Sequence, residues 1–133
     1  MKNILIADDN KVFRDTLASY LRSQLTDYTV QTVEDGAEAI EALESNPVSM
    51  VLTDLMMPKV DGYKVIAYLK KKHPSLPVII MTSAWSLELE MLIRKMGIVQ
   101  YLEKPFHHED LDRMVIEPLR EAKKAATISA AAD

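Results

Sequence analysis

An open α/β sheet, parallel and covered by helices on both faces, is the fold class that this sequence predicts. Two observations lead there. Short strand-like runs alternate with stretches of one-sided helical periodicity five times over, and the connections are too short for anything but right-handed crossovers. The chain has 133 residues, 48% hydrophobic and 27% charged. A chain of that size buries roughly two-thirds of its unfolded surface, enough for one core without metal or disulfide staples.

The first run, Ile4-Leu5-Ile6-Ala7, is continuous, apolar and too short for a helix, which suits a strand buried on both faces. A helix follows, because Phe13, Leu17, Leu21 and Leu25 recur every four residues and Asn10 or Asp9 stands ready to cap it. Thr29-Val30-Gln31-Thr32-Val33 is more polar and alternates, as an edge strand does. Asp35 followed by Glu38 reads as a capping box for a second helix with Ala39, Ile40 and Leu43 on its apolar stripe, stopped at Asn46-Pro47. Met50-Val51-Leu52-Thr53 is the third strand. A helix from about Gly62 to Lys72 buries Val65, Ile66 and Leu69 and ends before Pro74, and Val78-Ile79-Ile80-Met81 is the fourth strand. The fourth helix starts near Ser86, carries Leu87, Met91 and Leu92, and stops at Gly97, a residue suited to the left-handed position after a helix. Val99-Gln100-Tyr101-Leu102 is a brief, mixed edge strand. The last helix starts near His108, uses Leu111, Met114 and Val115, and is expected to kink or lose regularity at Pro118. With the three apolar strands central and the two polar ones outside, the sheet order is 2-1-3-4-5, the flavodoxin-like arrangement. Residues 1–122 are expected to form the domain; residues 123–133 form an Ala-rich tail that extends the last helix, frays, or is a linker stub.

Composition excludes several classes. There is no cysteine, so disulfide scaffolds, thiolate zinc sites and cysteine nucleophiles are ruled out. No apolar run approaches the roughly 18 residues of a membrane span, and Met1-Lys2-Asn3 leads into a strand rather than a signal peptide, so a cytoplasmic location is expected. Sixteen basic against twenty acidic residues give a net charge of -4. No sequence-wide field draws such a chain to nucleic acid, and no direct nucleic-acid or membrane partner is expected.

In open sheets of this class ligands bind at the carboxyl ends of the strands, beside the switch point between strands one and three. Asp8 and Asp9 follow the first strand, Asp54 the third, Thr82 the fourth and Lys104 the fifth. Two carboxylates about 4 Å apart repel by roughly 4 kcal/mol at an effective dielectric near 20, so three on one rim need a cation. Oxygen donors select magnesium, or manganese in its place, over zinc or copper. Magnesium pairs one or two carboxylates with a phosphate, and Lys104 adds positive charge, so the rim suits a phosphoryl group.

At these residues the chain resembles the receiver domain of two-component response regulators, over about residues 1–120. The resemblance rests on Asp8-Asp9, on Asp54-Leu55-Met56-Met57-Pro58-Lys59-Val60-Asp61-Gly62, on Thr82-Ser83 and on Tyr101-Leu102-Glu103-Lys104-Pro105-Phe106, each placed after its strand. It implies that Asp54 is the phosphoacceptor for a sensor histidine kinase or a histidine phosphotransfer protein. It also implies that Asp9, Asp54 and the backbone carbonyl of Met56 ligate Mg2+, with Asp8 holding the ion through water. Thr82 and Lys104 would bind phosphoryl oxygens, Pro105 would follow a cis peptide, and Tyr101 would move inward with Thr82. The output is then a changed surface read by a downstream protein, and the chain a switch rather than an enzyme. Departures from the pattern are Val60, the larger Met96 and Ile98 around Gly97, and Trp85, which is expected to cover the pocket or to mark a partner contact, with Met91 and Tyr101 on the same face. About 13 residues follow Arg120, too few for an output domain, as in a single-domain regulator or a cut linker.

Blander roles fit other features. Asp61-Gly62 reads as a turn and helix start, Lys70-Lys71-Lys72-His73 as a solvated helix end, and His107-His108 as neighbours that share no helix face. A Mg2+-dependent phosphohydrolase with an aspartyl nucleophile is the alternative, but such enzymes carry a second Asp two residues on, where this chain has Met56. A flavodoxin-like cofactor binder would want a Ser/Thr/Gly-rich loop after the first strand, and Asp8-Asp9-Asn10-Lys11 has the wrong charge.

Overall fold

The computed structural model describes residues 2–57, 61–98 and 100–132, with 126–132 as helical backbone. Pro58, Lys59 and Val60 of the long motif and Val99 of the expected fifth strand lie outside the described residues. Five parallel strands, β1 (Lys2–Ala7), β2 (Tyr28–Val33), β3 (Met50–Asp54), β4 (Val78–Thr82) and β5 (Tyr101–Glu103), form one sheet in the order β2-β1-β3-β4-β5. The doubly wound, flavodoxin-like order that the sequence predicts is therefore the one observed.

Strand side chains alternate between two cores. Ile4, Ile6, Met50, Leu52, Ile79 and Met81 face α1 (Lys11–Gln24) and the C-terminal helices. Leu5, Ala7, Val51, Val78 and Ile80 face α2 (Gly36–Ser45), α3 (Gly62–Lys72) and α4 (Leu87–Lys95). Each helix turns a 3.6-period stripe to one of these faces.

The caps follow the sequence closely. Asn10, rather than Asp9, caps α1, its side chain accepting from the Phe13 N–H at 3.0 Å. Asp35 accepts from the Glu38 N–H at 2.8 Å, while the Glu38 carboxylate accepts from the Glu34 N–H, so the capping box is closed one residue early. Past α4, Gly97 adopts φ +82°, the Ile98 N–H bonds to Ile93 O at 2.9 Å and the Gly97 N–H to Arg94 O at 3.0 Å. This is a Schellman closure, and buried Ile98 and Ile93 supply its apolar contact. β5 starts at Tyr101, so Gln100, which the sequence predicts to lie in the fifth strand, comes before it. The helical end of the chain is continuous: α5 (His108–Leu111), a π segment (Asp112–Ile116) and α6 (Glu117–Ala132). The irregularity expected at Pro118 is this π segment. Pro118 offers no N–H to the helix, and the wider turn just before it absorbs the mismatch. α6 runs without interruption past residue 122. Among the described residues, no helix is long and apolar enough to cross a membrane.

Candidate functional site

Parallel pairing puts all five carboxyl strand ends on one rim. Asp8 directly follows β1, Asp54 and Thr82 are the last residues of β3 and β4, and Lys104 follows β5. Asp8, Asp9 and Asp54 each present a carboxylate oxygen within 4.8 Å of the others, with Asp8 and Asp54 buried and Asp9 exposed.

The chain holds these groups with its own backbone. Asp8 Oδ1 accepts from the Asn10 N–H at 2.9 Å, and the Arg14 guanidinium donates to the Asp8 carbonyl at 3.2 Å. Asp54 Oδ1 accepts from the Met56 N–H at 3.0 Å. That leaves the second oxygens, Asp8 Oδ2 and Asp54 Oδ2, both to the Lys104 ammonium, at 2.5 and 2.8 Å. Lys104 thus supplies the positive charge that the crowded acids require. Burial alone would lower its pKa, but hydrogen bonds and charge from Asp54 and Asp8 outweigh burial and raise it above the usual 10.5. The ammonium also lies 4.2 Å from the centre of the Phe13 ring, and Phe106 packs edge-on against Phe13 at 5.4 Å. The sequence marked Phe13 only as helix core. Its signal was its place one turn into the helix that follows Asp8-Asp9, where the ring reaches back over the rim.

Gly62 has a reason beyond the turn that the sequence assigned to it. A Cβ there would run into the backbone oxygen of Asp54 and come within 2.5 Å of Leu55 Cα, and the Gly62 N–H donates to Leu55 O at 3.0 Å. α3 therefore starts in contact with the strand end that carries Asp54. Asp61 caps α3 by accepting from the Lys64 N–H.

Thr82 is buried, and its hydroxyl accepts from the Ala84 N–H at 3.1 Å. Lys104 N–H donates to Thr82 O at 2.8 Å, and the Lys104–Pro105 peptide is cis. Tyr101 is half-buried and stacks on Trp85, centroids 3.9 Å apart and planes 14° from parallel. Trp85 thus lies on Tyr101 in the loop before α4. Met56, Leu87, Met91 and Leu92 are exposed. His107 precedes α5, His108 stacks on Tyr20, and Lys70 reaches the Gly97 carbonyl at 3.4 Å.

The donor set fits a small divalent cation: hard oxygens only, two of three carboxylates desolvated, the third open to water. Asp8, Asp9 and Asp54 would hold it.

The sequence profile described as the response regulator receiver domain matches residues 4–116. The DNA-binding transcriptional regulator NtrC of Escherichia coli is 37% identical over 112 residues, 84% of this chain and 23% of that protein. The transcriptional regulatory protein FixJ of Bradyrhizobium diazoefficiens is 31% identical over 130 residues, 98% of this chain and 62% of that one. The chain therefore spans less than two-thirds of these relatives. A crystal structure of a CheY-like receiver domain protein from Methanospirillum hungatei matches with a TM-score of 0.80 at 26% identity, covering 94% of this chain and 98% of that one.

Proposed function

Since this chain belongs to the response regulator receiver domain family, whose members act as phosphorylation-dependent switches, we propose that Asp54 is its phosphoacceptor. The donor is the phosphohistidine of a sensor kinase or of a phosphotransfer protein. One carboxylate oxygen of Asp54 attacks phosphorus as the P–N bond breaks, and the bonding electron pair returns to the imidazole nitrogen. No base is needed, because a carboxylate is already ionised at pH 7.

The observation that carries this reading is the Lys104 bridge between Asp8 and Asp54 at the carboxyl end of β3. In a loose transition state the protein's task is to position the acceptor and to stabilise charge on the phosphoryl oxygens. Lys104 is placed to turn from Asp54 Oδ2 to a phosphoryl oxygen, and the Met56 N–H keeps Asp54 Oδ1 oriented. Thr82 offers a short hydroxyl that can exchange the Ala84 N–H for a phosphoryl oxygen. Asp9 and Asp54, with the Met56 carbonyl, would ligate Mg2+ directly and Asp8 through water. When bound, the ion supplies neutralising charge beside the acceptor oxygens. Exposed Val12 and Met56, next to the two acidic strand ends, offer apolar contact to the phosphodonor protein.

The output is a changed surface around Tyr101 and α4, read by a protein partner in the cytoplasm. DNA binding, which NtrC's name assigns to that relative, is no part of the proposal for residues 1–133. Met56 stands where an aspartyl phosphohydrolase would need its leaving-group acid, and an exposed thioether donates no proton. A small phosphodonor with magnesium should label the wild-type protein on one residue and leave Asp54→Asn unlabelled. Labelling that persists in Asp54→Asn would move the acceptor elsewhere.

A further inference from the structure

Trp85 is the single tryptophan of the chain. It sits between two hydrogen bonds that fix the loop from β4 to α4. On one side Thr82 Oγ1 accepts from the Ala84 N–H at 3.1 Å, and on the other Ser86 Oγ accepts from the Leu89 N–H at 3.1 Å and starts α4. Across the sheet, Thr82 pairs in register with Glu103, and Thr82 O receives the Lys104 N–H at 2.8 Å. Thr82 and Trp85 are three residues apart on one side of this seam, and Tyr101 and Lys104 three apart on the other. The near-parallel stack of Trp85 on Tyr101 closes the ring of contacts.

We propose that Trp85 is a positioning residue for Tyr101: its indole holds the phenol ring in the half-buried position of the unmodified protein and ties the ring's inward movement to release of the β4–α4 loop. The proposal rests on the reading of Asp54 as acceptor and of Tyr101 as the moving aromatic. The same hydroxyl that would reach a phosphoryl oxygen on Asp54 now holds the Ala84 amide. When Thr82 turns toward Asp54 it gives up that bond, and the loop segment carrying Trp85 loses its hold on the β4 side. The stack then opens, and Tyr101 is free to turn in. Both rings are partly buried and pack against the core cluster on the side of α2, α3 and α4, so the stack is partly shielded from water and its loss is felt by that side of the sheet.

An aromatic pair shifts a two-state equilibrium by about two- to ten-fold, and linkage makes the effect reciprocal. Removing the stack should therefore favour the inward state and tighten binding of a phosphoryl analogue by the same factor. The test is a beryllofluoride titration with magnesium, followed by amide shifts around Asp54 in wild type, Trp85→Ala, Trp85→Phe, Tyr101→Ala and the Trp85→Ala/Tyr101→Ala double variant. Trp85→Ala should bind about two- to ten-fold more tightly and Trp85→Phe, which keeps a stacking ring, should stay close to wild type. The gain should vanish in the Tyr101→Ala background, and wild-type tryptophan emission should change on saturation. Unchanged or weaker binding by Trp85→Ala, an equal gain without Tyr101, or constant emission would overturn the proposal. Wild-type protein that takes up no beryllofluoride, or Asp54→Asn that still does, would instead overturn the phosphoacceptor reading and the positioning role with it.

Discussion

Lys104 is the residue on which the rim balances. Its ammonium faces Asp8 and Asp54 at once, and its side chain is 15% exposed, so solvent screens it little. Replacing Lys104 by Met keeps most of the bulk over Phe13 but leaves two buried carboxylates facing each other. Without divalent cation the variant should lose about 1–3 kcal/mol of stability, and millimolar magnesium should restore most of it, as urea unfolding would measure. The sign with pH follows from the raised pKa of Lys104. A base held above its usual 10.5 contributes fully below that value and loses its contribution as pH rises through the folded-state pKa. The stability gap between wild type and Lys104→Met should therefore be widest near neutrality and narrow above pH 10.5, in unfolding curves taken at both ends of that range. Lys104, Asp8, Asp9 and Asp54 were legible in the sequence because each stands at or just after a strand end, a position that parallel topology converts into proximity. Phe13 was not, since an aromatic at helical spacing reads as core until its neighbours across the chain are known.

At the scale of elements, the approach of α3 to β3 is the tightest constraint near the site. Gly62→Ala would push a methyl group into the Asp54 and Leu55 backbone. It should cost about 1–3 kcal/mol and, on the proposed reading of Asp54 as acceptor, lower the rate of Asp54 labelling, because the strand end carrying Asp54 must shift to make room. Thermal unfolding and labelling measured on the same preparation would check both. Helix boundaries were largely readable, since Asn10, Asp35, Asp61, Ser86 and Gly97 announce starts and stops through their own capping chemistry. The fifth strand was read too early. Gln100 was read into it although the strand starts at Tyr101, because its polar, three-residue span carries little periodicity from which to fix a boundary. The π segment before Pro118 was expected only as an irregularity, because sequence shows where the N–H is missing and not how the preceding turns accommodate it.

For the molecule as a whole, we propose that residues 1–122 contain the complete phosphoryl chemistry. Arg120 donates to the Gln24 carbonyl at 2.9 Å, and Lys123 pairs with Asp27, a partly exposed ion pair worth less than about 1 kcal/mol. A chain ending at residue 122 should keep wild-type beryllofluoride affinity, measured by titration, and lose less than about 1 kcal/mol of stability. The strand order was legible because apolar and polar strands separate cleanly along the chain. What the sequence left open was the assignment of each helix to a face, which alternating strand residues settle only once the register is known. That assignment has a mechanical consequence. The sheet is a partition: Trp85 and Tyr101 belong to the compartment filled by α2, α3 and α4, while Phe13 and Phe106 belong to the one filled by α1 and the C-terminal helices. If Tyr101 moves as proposed, the compartment of α2, α3 and α4 takes up that motion first, across the sheet from α1.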